Sequence, residues 1–462
     1  MNAFFWSRRK PSTELVRSVD ALLGQLIPED KLGHAFDALS IACPDDRAFD
    51  ISRKRGGSNG SNGSAATGTS DDADVVIKPQ DAELLAFEVR KRVRTDSGDV
   101  CDPFDDGLPH LQEEENSDEQ SDDEPCEKTV PEELERHWAK IRSVFHRWDD
   151  DQCDREKKMD RMAELLLRYR VLEKALYPKV MGLLTFETRK YVGHVFRAMT
   201  VHNLQGFNEF VAKRPEIMGW LVEGYKNNDT ALICGAMLRD CFEHQVLTVT
   251  FLRDLEAEFA YLIKVTLSNS NFDISADAFM NITRLLTSHK EATVHCLEGA
   301  FDRIFGQLNS LLSSQNYVTK RQACQLLAEL LLNPVNFAVM QRYVSSRSNL
   351  KLVMLLLREP SQALRMDAFH VFKIFVANPN KSVEVEQVLL RNREKLLAFV
   401  SDFGKQEMNR EFHQERSLLV FTLQRMAEKE KQQQLLAATN RAHQAAPSAG
   451  PNVQSEVCAH QD

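Results

Sequence analysis

A 462-residue chain with 43% hydrophobic and 27% charged side chains has the balance of a soluble globular protein and the length to bury one large core or several. Its formal charge of −10 is unevenly placed: residues 96–127 hold fourteen Asp or Glu and no Lys or Arg, which leaves the remainder at +4, without the basic surplus of a nucleic-acid binder. No apolar run approaches the about 20 residues of a membrane span, and the nine cysteines are odd in number, scattered and free of C-x-x-C spacing, so reduced thiols and a cytoplasmic location without membrane insertion are expected.

The opening MNAFFWSRRK places its basic residues after a short apolar stretch, the reverse of a signal peptide. Residues 1–43 read as N-terminal amphipathic helices, with Ser12 as an N-cap and Glu14 in the first turn. Composition then shifts over 44–130: a Gly/Ser/Asn stretch (GGSNGSNGSAATGTSDD), one short helical piece ending in RKRVR, and the acidic run. Few aromatics and blocks of like charge do not offset chain entropy, so this segment is expected to be a disordered insertion. Within it, Thr95 follows Arg92 and Arg94, a basophilic-kinase context, and Ser121 precedes Asp122, Asp123 and Glu124, an acidophilic one; both are candidate phosphosites. RKRVR reads either as an import signal or as a solvated helix end.

Helical periodicity occupies 131–433, AEKEKQQQLLAATNRAHQ extends a polar helix, and 434–462, above all beyond Pro447, is expected to be a flexible C-terminal tail. Inside the periodic region small residues recur at Gly193, Gly235, Ala278, Ala323 and Ala368, at spacings of 42, 43, 45 and 45. Three positions further on stand Phe196, Leu238, Asn281, Leu326 and Val371, apolar in all but one. A period of 40–47 belongs to HEAT or armadillo units, and no strand-like alternation competes. The expected fold is therefore an all-α armadillo/HEAT-like helical-repeat solenoid, a curved superhelix in which each small residue lets neighbouring helices approach.

Catalytic and metal-binding patterns fail on context. GGSNG at 56–60 satisfies G-x-S-x-G but lies in a linker and not in a strand-to-helix turn. Asp102, Asp106, Gly107 and Glu113 fit parts of a calcium-loop template that Phe104 and Pro109 break. His289 and His295 fall on different sides of a helix, and His289 and Cys296, which share one, lie two turns apart, ~10 Å, too far to hold one ion. His370 in DAFHVFKIF reads as a packed or groove histidine, and no glycine-rich phosphate loop is present. No enzyme activity, metal, cofactor or small-molecule substrate is expected.

The remaining feature is a polar stripe. Tyr317, Arg321 and Gln325 recur at i, i+4 and i+8 on a helix whose other face carries Ala323, Leu326, Leu327 and Leu330. Tyr and Arg are the residue types enriched in protein–protein hot spots, and Phe272 stands one period, 45 residues, before Tyr317. Periodicity alone leaves two readings open: an anchor row for a partner, or a Tyr317 packed on its own helix beside a solvated Arg321.

NNDTALICGAMLRDCFEH, NFDISADAFMNITRLLTSHK, QNYVTKRQACQLLAELLL, NLKLVMLLLRE and DAFHVFKIFVANPNK, in that order, resemble successive repeats of the calcium-binding protein 39 family, the Mo-25-like scaffolds. The resemblance covers about 160–402, and residues 1–43 are similar to that family's opening helices. It implies a non-catalytic horseshoe that docks a sterile-20-type kinase or pseudokinase on its concave face and takes a short hydrophobic tail motif in a C-terminal pocket, in polarity and morphogenesis signalling. By the same resemblance Phe272, Tyr317, Arg321 and Phe337 match kinase-facing positions. Lys351, Met354 and Arg391, the last in place of a Lys, match the tail pocket. Two positions depart from the family: Gln325 stands for a Lys, and Pro334 for a partner-contacting Arg. The alternative is a helical-repeat adaptor for a non-kinase cytoskeletal or flagellar assembly partner, working through the tail pocket.

Overall fold

The computed structural model describes residues 12–26, 129–146, 152–406 and 409–445. The expected insertion (44–130) lies almost wholly outside the described residues, as do Thr95, Ser121, the 56–60 and 102–113 patterns, and 446–462. Among the described residues every regular element is helical, as the repeat period requires. They run α1 (Ser12–Leu26), α2 (Val130–His146), α3 (Gln152–Arg168), α4 (Val171–Leu176), α5 (Pro178–Leu183), α6 (Phe186–Val201), α7 (Phe207–Ala212), α8 (Glu216–Glu223), α9 (Asn228–Phe242), α10 (Gln245–Asp254) and α11 (Glu256–Ser268). There follow α12 (Phe272–Thr287), α13 (Lys290–Gly299), α14 (Phe301–Leu312), α15 (Tyr317–Leu332), α16 (Phe337–Val344), α17 (Arg347–Leu356), α18 (Gln362–Ala377), α19 (Val383–Arg391), α20 (Arg393–Asp402) and α21 (Arg410–Ala445). The last helix continues past residue 433 to Ala445, through the stretch AEKEKQQQLLAATNRAHQ. The chain forms two compact units, one up to Phe337 and one from Ala338 onward.

In the first unit the period becomes three rows of helices. The first row stacks α2 on α6, α6 on α9, α9 on α12 and α12 on α15. A second stacks α7, α10, α13 and the Pro334–Asn336 turn, and a third α8, α11 and α14. Each repeat supplies one helix to each row, the arrangement of an armadillo-like fold. The small residues of the period fall in the long helices: Gly193, Gly235, Ala278 and Ala323 are all buried within the first row. Its helices run parallel. Arg189 near the start of α6 donates to the Asp229 carbonyl at the start of α9 (2.9 Å), and Arg197 near the end of α6 pairs with Asp240 near the end of α9 (3.9 Å).

The α9–α12 joint is polar. Asp277, 6% exposed, accepts from Arg239 at 2.5 Å and from the Tyr225 hydroxyl, while the Asn281 amide donates to Tyr225 Oη (2.7 Å) and to the Gly235 carbonyl (3.1 Å). Burial lifts Asp277 above the ordinary carboxylate range although Arg239, Tyr225 and Asn281 pull the other way, and burial next to Asp277 holds Tyr225 well above its usual value. Gly235 is what admits the carboxylate. A Cβ there would fall inside contact distance of both Asp277 Oδ2 and Tyr225 Oη.

The second unit closes on aromatic side chains. Phe369 of α18 meets Phe403 at 5.0 Å and Phe412 of α21 at 5.3 Å between ring centroids, and Phe399 of α20 meets Phe403 at 5.1 Å. Helix α21 buries Phe412, Leu419, Leu423 and Met426, one face of a seven-residue pattern. Lys373, 3% exposed, is admitted to this core by Glu415 at 2.5 Å.

Candidate docking surface

The starts of the first-row helices set the geometry. Asn271 caps α12 by accepting from Asp273 N (2.9 Å) and Ile274 N (3.4 Å), and Asn316 caps α15 by accepting from Val318 N (2.9 Å) and Thr319 N (3.4 Å). A capping Asn has extended backbone, so the next residue is the first helical one and leaves the helix at a fixed angle. In α12 that residue is Phe272, in α15 Tyr317. They are 60% and 44% exposed, and Phe337, first in α16, is 52% exposed. Arg321, half-buried, follows Tyr317 by one turn on the same face, and Gln325 one turn further is exposed. Leaving a phenyl ring in water forgoes about 1.5–3 kcal/mol of burial. One such residue is ordinary; Phe272 and Tyr317 recur at equivalent helix starts, which calls for a partner, whereas Phe337 opens α16 beyond the far end of α15.

Pro334 follows the end of α15 at Leu332 and opens the Pro334–Asn336 turn, which Asn333 caps from Val335 N at 3.2 Å. The missing proline N–H is harmless in a first turn. Asn336, 2% exposed, ties the turn back to α15 by donating to the Leu330 carbonyl at 3.0 Å. The turn thereby fixes where Phe337 begins.

In the second unit Lys351 is exposed and Met354 half-buried, three residues apart on one face of α17, which packs on α19. Arg391, exposed, ends α19. It lines a shallow hollow of ≈ 270 Å³ with Leu390, Asn392, Arg393, Glu394 and Lys395; neither Lys351 nor Met354 lines it. The sequence-assigned tail-pocket residues therefore occupy neighbouring helices without sharing that hollow.

Residues weighed for metal or catalysis take structural places. His289 Nε2 lies 3.1 Å from the Phe242 carbonyl, and His295 reaches Glu298 at 4.0 Å on the surface. Among the described residues no three His, Cys, Asp or Glu side chains gather as a metal site, and no single helix is long and apolar enough to cross a membrane. Sequence reasoning missed the Asp277 hub that orients α12 beneath Phe272. One signal was visible: Asn281 is the single polar residue at the repeat's otherwise apolar +3 position.

Three rows of stacked helices, with Phe272 and Tyr317 exposed at equivalent starts in the first row, define an armadillo-like fold. A family model described as Mo25-like matches residues 88–427, beginning inside the segment read as an insertion. The chain is 39% identical over 249 residues to a Mo25-like protein of Schizosaccharomyces pombe, covering 53% of this chain and 74% of the relative. It is 39% identical over 244 residues to calcium-binding protein 39-like of Homo sapiens (52% and 71%), and 35% identical over 280 residues to the conidiophore development protein hymA of Emericella nidulans (54% and 73%). The chain belongs to the Mo25-like family, a family of non-catalytic, kinase-scaffolding adaptors.

Proposed function

We propose that this chain binds and allosterically activates a sterile-20-type kinase or pseudokinase, using Phe272, Tyr317 and Arg321 at the first-row helix starts, together with Phe337 at the start of α16, as its kinase-facing surface. Lys351, Met354 and Arg391 take the partner's tail motif. The observation that carries the reading is the register of exposed aromatics at helix starts in a member of a kinase-scaffolding family. Similarity to a conidiophore development protein supports a place in cell-morphogenesis signalling, and the absence of a spanning helix among the described residues is consistent with work in the cytoplasm.

The test adds purified full-length protein to a sterile-20-type kinase and measures phosphotransfer. Kinase activity should rise, and the Tyr317→Ala/Arg321→Ala double variant should lose the effect while keeping its helical melt. Activation that survives the double change sinks the docking surface. Partner capture abolished by Met354→Ala alone, with the edge variants silent, points instead to the non-kinase adaptor.

A further inference from the structure

A basic face lies where α6 packs on α2. Arg142 and His146 stand one turn apart on α2, and Lys190, His194 and Arg197 follow at turn spacing on α6. The two sets meet. The Arg142 guanidinium lies 5.5 Å from the Tyr191 ring centroid, and its buried Nε has no hydrogen-bond partner among the described residues. Burial holds the His194 imidazole below its ordinary pKa, and Arg142, His146, Lys190 and Arg197 all push the same way. Glu187 at 3.8 Å from Lys190 and Asp240 at 3.9 Å from Arg197 offset this charge from the margins. Pairs this long between partly exposed side chains contribute little, so the face attracts further carboxylates.

Carboxylates in quantity stand next to it in the sequence. In EEENSDEQSDDE, residues 113–124, eight of twelve positions are Asp or Glu and none is Lys or Arg. Five residues separate this run from Val130, the first residue of α2. Twelve helical steps, about 18 Å, lead from Val130 to Arg142, a distance that about five or six extended residues cover. Counted back from Thr129, that length reaches Glu124 and Asp123. Lys190 and Arg197 lie one helix further, about 8–10 Å, which brings Asp118 and Glu119 within range.

We propose that the α2–α6 face docks the chain's own acidic run, residues 113–124, with its carboxylates on Arg142, Lys190 and Arg197. The inference stands apart from the kinase reading. A tether this short keeps the effective concentration high, so contacts too weak to hold a separate peptide suffice. Ser121 lies inside the run, and phosphate there adds charge of the sign that this face takes.

The experiment treats the full chain with a carbodiimide, which joins a carboxylate to an amine in contact with it, and maps the amides by mass spectrometry. Lys190 should be joined to an Asp or Glu of 113–124 in the same chain. The yield should fall at least about fivefold at about 0.5 M salt, where exposed charges are screened, and as far in Arg142→Gln/Arg197→Gln with its helical melt unchanged. The salt arm needs no substitution, so a variant that misfolds does not rescue the proposal. A run joined only to Lys128 and Lys140, its neighbours in sequence, overturns it, as does a Lys190 yield indifferent to salt. Amides between isotope-labelled and unlabelled chains, with none inside one chain, overturn it in favour of a second copy.

Discussion

Two junctions of this molecule solve the same packing problem with opposite chemistry. Between α9 and α12, adjacent helices are joined by a buried carboxylate with Arg239, Tyr225 and Asn281 around it. Between α18, α20 and α21 the joint is made of Phe369, Phe399, Phe403 and Phe412. The aromatic joint draws on burial area and tolerates small shifts. The polar joint has one geometry, because each donor left without its acceptor costs about 1–3 kcal/mol. Directional bonds thus lie behind the edge that must present Phe272 and Tyr317 in register, and non-directional packing closes the C-terminal unit.

The polar joint is most sensitive at Gly235. Gly235→Ala drives a Cβ into the Asp277 and Tyr225 oxygens and should cost about 4 kcal/mol or more, read by urea unfolding. Phe369→Ala should cost about 3 kcal/mol, toward the lower end for aromatic truncation, because neighbouring rings can close on the cavity. Asp277→Asn keeps the shape but turns an N–H₂ toward groups that themselves donate, a loss of about 2 kcal/mol. An unchanged midpoint for Asp277→Asn would show that the joint holds by packing alone.

A smaller effect concerns pH. Burial, with Arg142, His146, Lys190 and Arg197 adding, pulls His194 of α6 from 6.5 down to about 4. Between these values the unfolded chain takes a proton that the folded chain refuses. The stability from this group is therefore complete above pH 6.5 and is lost as pH falls toward 4. His194→Gln should flatten that part of the stability–pH curve. Smallest of all, Tyr317→Ala/Arg321→Ala should move stability by no more than about 1 kcal/mol while removing kinase activation, since Tyr317 is exposed and Arg321 only half-buried.

Much of this was legible in the chain. The small residues at 42–45 spacing named the buried positions of the long helices because only a missing side chain lets two helices approach there. The stripe from Tyr317 was legible because α15 buries Ala323, Leu326, Leu327 and Leu330 on its other face. The Asp277 hub was not, since its members are 52 and 38 residues from their partners and a carboxylate inside a helix pattern reads as solvated.

The capped edge has an electrical side. Parallel helix starts present partial positive charge together, worth about half an elementary charge each. Helices α6, α9 and α12 cancel part of it with Glu187, Asp229 and Asp273 in their first turns; α15 carries no acid there, and Lys320 and Arg321 follow. The field therefore peaks at one end of the edge in a chain of net charge −10. Under the proposed docking, a kinase bearing carboxylates would be steered to the Tyr317 end first, so added salt should slow its arrival more than it hastens its departure.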